Sequence, residues 1–339
     1  MLRCQTPPSF TRRQALALAA GSIAGALAAV VPLHALAQAA SWPTKPVRLV
    51  IPFPAGGSTD IVGRLVADKL SQSLNQPFVI DNRAGAGGTT GSDLVAKAPP
   101  DGYTVLMGTS STHAIASSLY TKLPYDAARD FAPVTLLGTA TILLVVHPDV
   151  PANSVRELIA LAKAQPNKLS YGSTGNGSVS HLTAEYFKSM AGVEMQHVPY
   201  KGDSPMTVDL VAGRVSVAFG TAVAFLPYVQ SGKLRALAVT NAKLSPVVPS
   251  LPTVASAGLA GFEALQWFGL LAPAGTPKEI VAKLNDEVGK VLRQADVRER
   301  LQGLGMDVVG DGPDAFSGFM RAEGVKWGKI VKDSGAKVD

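Results

Sequence analysis

Residues 48–70 read RLVIPFPAGGSTDIVGRLVADKL, and this stretch predicts a β-strand, a glycine loop and an α-helix in succession. The β-branched run stops at two prolines, and after Gly56 and Gly57 apolar residues such as Ile61 and Leu65 recur four apart, as on one helix face. Backbone amides in the first turn of a helix lack partners, and the helix dipole favours negative charge there. Glycine also lets a ligand approach the backbone closely. The stretch therefore predicts an anion-binding loop, with a βα turn that binds nothing as the alternative.

Strand-like and helical segments alternate along almost the whole chain. Apolar runs such as YTVLMGT, ILLVVHPD and FGLLAPAG are separated by segments with helical periodicity, a pattern typical of parallel sheets with crossover helices. About 300 residues remain after the N-terminal segment described below, which is more than one hydrophobic core usually organises. We therefore expect an α/β protein with two lobes.

Three further glycine-rich loops lie where a predicted strand meets a predicted helix. They are DNRAGAGGTTGSD at 81–93, YGSTGNGSVSHL at 171–182 and HVPYKGDS at 197–204. In the first, Thr90 stands where a G-x-G-x-x-G dinucleotide motif requires glycine, so a turn into the helix is the better interpretation. Open α/β sheets bind ligands at the carboxyl ends of their strands, and several such loops together favour an anion site there.

Residues 1–39 have the features of an export signal. A basic start is followed by an apolar run from Ala15 to Val31 and an exit of small residues. The arginine pair at 12–13 resembles a twin-arginine signal, but Ala15 stands where that pattern continues with a large apolar residue, so Sec export stays open. We expect a periplasmic mature chain beginning at Gln38 or Ala40. An uncleaved membrane anchor is the alternative, although the run is shorter than the roughly 20 residues of a span.

Charge and cysteine content exclude several classes of partner. The formal net charge is +6, and removal of residues 1–39 takes away three arginines and no acidic residue, which leaves +3. The remaining basic residues are interspersed with acidic ones, so nucleic acid is not an expected partner. The single cysteine, Cys4, leaves with the signal, so we expect no disulfide, no thiol chemistry and no lipid anchor. No motif calls for a cofactor.

A search for catalytic motifs gives nothing. No G-x-S-x-G nucleophile motif occurs, and the four histidines after residue 39 show no zinc-binding spacing. His181 is the histidine nearest to a predicted ligand loop, in the first turn of the helix after the second glycine loop. We expect a protein that is not an enzyme and holds no metal.

Five motifs in order carry a family resemblance. They are PFPAGGSTDIVGR (52–64), NRAGAGGTTGSDLVAKAPPDGYTVLMGT (82–109), YGSTGNGSVSHL (171–182), HVPYKG (197–202) and FGLLAPAGTP (268–277). Together they resemble the substrate-binding proteins of tripartite tricarboxylate transporters, also called Bug receptors. The likeness runs from Trp42 to the C-terminal helices.

This resemblance implies a type II periplasmic binding protein, in which two α/β lobes joined by two crossings close on a small ligand. Residues 40–139 and 262–339 are the expected first lobe and 140–261 the second. The resemblance further implies a monomeric receptor that delivers its ligand to membrane permease subunits. In the family a carboxylate is held largely by backbone amides, hydroxyls and bridging waters. The ligand-binding residues that the resemblance implies lie in three loops: Ala55, Gly56, Gly57, Ser58, Thr59 and Asp60; Ser173, Thr174, Gly175, Gly177 and Ser178; and Tyr200, Lys201 and Gly202. Beside these loops we also expect Phe53, Ser110 and His181 to contact the ligand.

Two other function classes use an α/β architecture of this kind. An exported α/β hydrolase with unrecognised catalytic residues is the alternative to a receptor. The effector lobe of a transcription regulator is disfavoured because residues 1–40 read as an export signal and not as a DNA-reading helix-turn-helix. The ligand stays open among tricarboxylates, dicarboxylates, amino acids, aromatic acids and uncharged solutes. The candidate selectors among them, each with a wall or core residue as the alternative, are Phe53, Thr59, Ser110, His181 and Tyr200.

Overall fold

A computed structural model describes residues 42–338 of the chain. The predicted export signal and its cleavage position lie outside the described residues. Residues 42–44 belong to an N-terminal unit of which nothing else is described, and every element below lies within the compact unit that begins at Lys45.

Eleven strands and ten α-helices alternate within residues 45–338, as the sequence pattern predicts. The strands are β1 (Val47–Ile51), β2 (Phe78–Asn82), β3 (Thr104–Thr109), β4 (Phe131–Ala140), β5 (Ile142–Val146), β6 (Ser170–Ser173), β7 (Gln196–Pro199), β8 (Val217–Thr221), β9 (Arg235–Val239), β10 (Gln266–Pro273) and β11 (Met306–Asp311). The helices are α1 (Ser58–Leu74), α2 (Thr89–Ala96), α3 (Ala116–Leu119), α4 (Val155–Ala164), α5 (Val179–Ala191), α6 (Asp203–Val211), α7 (Ala222–Gln230), α8 (Lys278–Arg293), α9 (Ala295–Gly303) and α10 (Pro313–Ser334). A 3₁₀ turn (Ala86–Gly88) precedes α2, and a π-helical turn (Ser111–Ile115) precedes α3.

The strands form two sheets, one for each lobe. The first lobe has six strands in the order β11-β4-β10-β3-β1-β2, and the second has five in the order β7-β6-β8-β5-β9. Both sheets are mixed, which corrects the expectation of parallel sheets. In the first, β1 is parallel to β2 and β3, while β10 is antiparallel to β3 and β4. In the second, β6 is parallel to β7 and β8, while β5 is antiparallel to β8 and β9.

Two of the strands that run antiparallel to their neighbours, β5 and β10, lie next to the two crossings between the sheets. Strand β4 ends at Ala140 in the first sheet and β5 begins at Ile142 in the second, so Thr141 alone separates them. The chain returns through residues 240–265, between β9 and β10. A strand that enters a sheet from the other sheet is not connected to its neighbours by a crossover helix. It can therefore pair antiparallel to them.

Burial is deepest in the strands that lie inside each sheet. Every residue of β5 and of β10 is buried, as expected for strands covered by helices on both faces. Helix α8 presents a buried stripe that includes Ile280, Leu284 and Val288. Helix α10 contacts both β4 of the first lobe and α5 of the second, so it packs against both lobes. Among the helices of residues 42–338, none combines the length and apolarity needed to cross a bilayer.

A close approach of two strands gives the first prediction. A Cβ at Gly138, in β4, would lie 2.3 Å from the carbonyl oxygen of Asp307 in β11, so Gly138→Ala must separate paired backbones. We expect a loss of about 1–3 kcal/mol in the free energy of unfolding, measured by urea denaturation. Gly324→Ala in α10 is the matched control, because a Cβ there meets nothing within 4 Å and alanine favours a helix by about 1 kcal/mol. Equal effects of the two substitutions would contradict this packing.

Candidate functional site

The opening glycine loop is held in place by Asp60, in the first turn of α1. Its carboxylate accepts hydrogen bonds from the Gly56 amide (2.9 Å), Arg64 Nε (2.8 Å) and Asn82 Nδ2 (2.9 Å). Burial alone raises the pKa of Asp60, but the hydrogen bonds from Arg64, Gly56 and Asn82 outweigh it and hold the pKa below its ordinary value. Asp60 is 3% exposed, so its role in this geometry is to shape the loop.

The second glycine loop, residues 173–178, leads into α5 and is shaped by its own hydroxyls. Ser178 is the N-cap, and its side chain accepts a hydrogen bond from the His181 amide. The Thr174 amide donates to Ser180 Oγ (2.9 Å), and Gly175 and Gly177 adopt φ values of +128° and +77°. These positive φ angles turn the loop tightly enough to bring its backbone beside the first turn of α5.

A stack of three rings supports this loop from behind. His197 lies between Tyr171 (ring centroids 4.8 Å apart) and His181 (4.2 Å), with the planes nearly parallel. His197 Nε2 lies 2.6 Å from Ser173 Oγ, and His181 Nδ1 accepts a hydrogen bond from the Gly177 amide (3.2 Å). Burial lowers the pKa of both histidines to about 4. Both rings are therefore neutral at pH 7 and hold the loop through hydrogen bonds rather than charge.

The starts of α1 and α5 each receive a side chain from the opposite lobe. In the first lobe, the Ser58 amide (2.9 Å) and Ser58 Oγ (2.7 Å) donate to Asp203 Oδ2 of the second. In the second lobe, the Val179 amide donates to Ser111 Oγ of the first (3.0 Å). Burial raises the pKa of Asp203, and the two hydrogen bonds from Ser58 oppose that rise. Each lobe thus supplies a side-chain acceptor to a first-turn amide of the other lobe, which its own helix leaves without a partner.

Two adjoining cavities lie between the lobes, and Phe53 and Thr174 line both. The outer cavity has a volume of about 380 Å³. Its walls are Phe53, Pro54, Ala84, Gly85, Ala86, Gly87, Gly88, Thr174, Gly175, Asn176, Pro199, Tyr200 and Lys201. The inner cavity has a volume of about 20 Å³. Its walls are Phe53, Ser58, Thr59, Ser111, Ile142, Thr174, Val179, Ser180, Asp203, Phe219, Gly220, Thr221 and Gln266.

The structure places the sequence-predicted residues in two groups. Seven line one of the cavities: Phe53, Ser58, Thr59, Thr174, Gly175, Tyr200 and Lys201. The others belong to neither wall and mostly support the loops from behind: Ala55, Gly56, Gly57, Asp60, Ser110, Ser173, Gly177, Ser178, His181 and Gly202. The Tyr200 hydroxyl donates to Asp209 (2.8 Å), so that hydroxyl is already engaged.

Ser110, a candidate selector with a core residue as the alternative, is a core residue in this structure. Its side chain is fully buried, its Oγ donates to the Leu265 carbonyl (3.2 Å), and it accepts a hydrogen bond from the Trp267 amide (3.0 Å). It therefore secures the returning crossing to the first sheet, and its neighbour Ser111 lines the inner cavity instead. Ser110 is the residue before the π-helical turn and Ser111 is the first residue within it.

The sequence interpretation missed one wall of the outer cavity. Residues 84–88, interpreted as a plain turn into α2, line it together with Asn176 of the second lobe. The Tyr120 hydroxyl lies 2.9 Å from the Ala86 carbonyl and 3.3 Å from the Asn176 carbonyl, so it bridges the two loops. The absence of a complete G-x-G-x-x-G motif argues against a dinucleotide ligand. The glycine-rich pattern that residues 84–88 share with the other loops is nevertheless typical of a ligand loop.

Two other missed residues come from elements without a loop motif. Thr221 and Gln266 line the inner cavity, at the end of β8 and the start of β10. Asp203 also lines it and lies in the glycine-rich loop at 197–204, but it was not among the expected ligand residues. Within residues 42–338, no three histidine, cysteine or acidic side chains lie close enough together to hold a metal ion.

Comparisons with known proteins agree on one family. The model of the tripartite tricarboxylate transporter family receptor matches residues 62–336. Protein BugT of Bordetella pertussis is 37% identical over 318 residues, covering 94% of this chain and 98% of BugT.

Solved structures show the same relationship. An R. palustris protein solved with adipate is 42% identical, covers 88% of this chain and all of its own, and superposes with a TM-score of 0.85. MatC from Rhodopseudomonas palustris, solved with bound malate, is 36% identical, covers 86% of this chain and all of its own, and gives a TM-score of 0.83. These likenesses confirm the expected two-lobed α/β binding-protein fold and give no support to the hydrolase alternative.

The histidine stack predicts a pH dependence of stability. The unfolded chain takes up protons near the ordinary histidine pKa of about 6.5, whereas folded His181 and His197 do so only near 4. The free energy of unfolding should therefore be undiminished above pH 6.5 and fall between pH 6.5 and 4, by at most about 1.4 kcal/mol per pH unit for each histidine.

The measurement is urea denaturation at intervals across that range, on the unaltered chain and on His197→Phe. The phenylalanine keeps a ring in the stack but removes one titrating group, so the slope should become shallower. Glu185 and Lys188, which interact electrostatically with the histidines, remain in both proteins. His147→Gln, outside the stack, is the control, and an unchanged slope in His197→Phe would contradict the assignment.

Proposed function

The chain belongs to the tripartite tricarboxylate transporter receptor family, and on that premise we propose that it is a periplasmic receptor for a small carboxylate. It binds the solute between its two lobes and delivers it, as a monomer, to the permease subunits of a tripartite transporter. Residues 1–39 are the export signal in this proposal, 40–139 with 262–339 the first lobe, and 140–261 the second.

One observation carries the proposal: two helices begin on opposite sides of the same cleft. The first turns of α1 and α5 line the inner cavity, through Ser58 and Thr59 on one side and Val179 and Ser180 on the other. Such helix starts stabilise anions through unpaired amides and the helix dipole. The R. palustris relatives solved with adipate and malate support a carboxylate as the bound solute.

Free amides are available at both helix starts. Within residues 42–338, the amides of Thr59 and Ser180 donate to no hydrogen bond, whereas those of Ser58 and Val179 are engaged across the cleft. We assign the solute carboxylate to the free pair, at the junction of the two cavities beside Thr174. The outer cavity encloses the carbon skeleton of the solute. The volume of about 380 Å³ suits a small metabolite.

The remaining sequence-predicted residues keep supporting roles in this proposal. Ala55, Gly56 and Gly57 form the loop before α1, and Ser173, Gly177 and Ser178 form the loop before α5. Lys201 is exposed at the rim of the outer cavity. Its ammonium adds only a solvent-screened attraction to a bound anion.

The proposal is tested by thermal unfolding with a panel of carboxylates and uncharged solutes of similar size. A bound solute at a hundred times its Kd should stabilise the folded protein by about 2.7 kcal/mol. We expect at least one carboxylate to raise the melting temperature and the uncharged analogue of the same skeleton to leave it unchanged. A panel in which only uncharged solutes stabilise the protein would contradict a carboxylate receptor.

Two substitutions separate backbone recognition from recognition by a charged side chain. A Cβ at Gly57 would lie 3.1 Å from Asp203 Oδ2, so Gly57→Val crowds the start of α1 and should remove most of the affinity. Lys201→Ala should weaken binding by about 1 kcal/mol or less. Titration calorimetry with the stabilising carboxylate measures both, with circular dichroism to verify folding. If Lys201→Ala lost more affinity than Gly57→Val, the anion would be bound by the lysine ammonium and not by the helix start.

A further inference from the structure

Two buried side chains in the inner cavity have polar atoms without partners. Thr221 is 4% exposed and Gln266 is 3% exposed. Within residues 42–338, neither Thr221 Oγ1 nor Gln266 Oε1 makes a hydrogen bond. Thr221 ends β8 of the second lobe and Gln266 begins β10 of the first, yet both line the same cavity. Buried polar atoms are nearly always paired, so two unpaired ones facing one space indicate a missing partner there.

A third oxygen in the same wall lacks a donor. Asp203 receives both of its hydrogen bonds, from the Ser58 amide and Ser58 Oγ, on Oδ2. Within the described residues, no hydrogen bond reaches its other carboxylate oxygen. The inner cavity therefore offers three oxygens able to accept a hydrogen bond, on Thr221, Gln266 and Asp203. Gln266 Oε1 can only accept, so it requires a donor, whereas the Thr221 hydroxyl can either accept or donate.

The size of the cavity limits what that donor is. A volume of about 20 Å³ accommodates a single group the size of a water molecule. A carboxylate has three non-hydrogen atoms and brings only acceptors when ionised, so Gln266 Oε1 would stay without a partner. A hydroxyl or an ammonium group fits in volume and supplies the donors.

We propose that the inner cavity reads a hydroxyl or ammonium substituent on the bound carboxylate, and that Thr221 and Gln266 determine this specificity. The inference rests on the proposed receptor function and narrows its solute class to hydroxy or amino carboxylates. The carboxylate itself lies at the junction of the two cavities, beside Thr174, where the free Thr59 and Ser180 amides are available. The substituent extends inward to Thr221, Gln266 and Asp203.

The first test needs no solute. If Thr221 Oγ1 is unpaired until a solute arrives, Thr221→Val removes no hydrogen bond, and the melting temperature of the protein alone should stay the same or rise. Thr240→Val is the matched control, because Thr240 is fully buried and its Oγ1 donates to the carbonyls of Ala264 (2.7 Å) and Ile142 (3.3 Å). That variant should melt at a lower temperature. An equal fall in both variants would show that Thr221 already has a permanent partner and would overturn the proposal.

The second test measures selectivity by titration calorimetry at pH 7. Two series of acids are compared, and within each series the carbon skeleton is the same. The first is succinate, malate and aspartate. The second is adipate, 2-hydroxyadipate and 2-aminoadipate. In a series that binds, we expect the hydroxy or amino acid to bind at least tenfold more tightly than the unsubstituted diacid. Thr221→Val and Gln266→Met should each reduce that ratio to less than threefold. The preferred substituent distinguishes a hydroxyl from an ammonium group.

The outcomes separate this inference from the function on which it rests. Equal binding of substituted and unsubstituted acids, or a ratio that survives both substitutions, would overturn the inference while leaving a carboxylate receptor intact. Failure of all six acids to bind, in a protein that the wider thermal-unfolding panel shows to bind another carboxylate without a hydroxyl or amino group, would overturn the inference alone. The assignment of specificity to Thr221 and Gln266 is supported if the ratio of affinities, substituted over unsubstituted acid, falls below threefold in Thr221→Val and Gln266→Met but stays at least tenfold in Thr240→Val.

Discussion

The first-turn amides of α1 and α5 are the constraint on which the cleft depends. A helix cannot satisfy its own first amides, and here two such sets are brought face to face by a chain that passes between the sheets at Thr141. Each set is partly satisfied from the opposite lobe, by the Asp203 carboxylate on one side and the Ser111 hydroxyl on the other. The amides that remain form a polar site that neither lobe completes alone.

The two loops of this site are held in position by side chains that line neither cavity. Asp60 fixes the loop before α1 through three hydrogen bonds, and the His181–His197 pair fixes the loop before α5 through Gly177 and Ser173. Because the histidines are neutral at pH 7, no positive side chain needs to be buried near the solute. Recognition by fixed dipoles avoids the desolvation cost of a buried, unpaired charge.

Much of this arrangement follows from local sequence patterns. The alternation of strands and helices, the helix after Gly57 and the glycine loop before α5 all follow from periodicity and turn chemistry. Seven of the predicted ligand residues line the cavities because a loop between a strand and a helix lies at the edge of the sheet. The resemblance to a receptor family, carried by the same loops, is confirmed by the matched family model.

The residues that sequence could not supply are those whose position depends on pairing between lobes. Gln266 and Thr221 lie 45 residues apart in the chain and on different sheets, and no local pattern brings them to one cavity. The antiparallel insertion of β5 and β10 at the crossings likewise depends on which strands each sheet accepts. Ser110 was left open between a selector and a core residue, because its partners Leu265 and Trp267 lie at the distant returning crossing.

The measurement closest to the central claim is a crystal structure of the protein with the carboxylate that stabilises it most. The account predicts carboxylate oxygens within hydrogen-bond distance of the Thr59 amide of one lobe and the Ser180 amide of the other. A carboxylate paired with Lys201 at the rim, with no contact to either helix start, would contradict it.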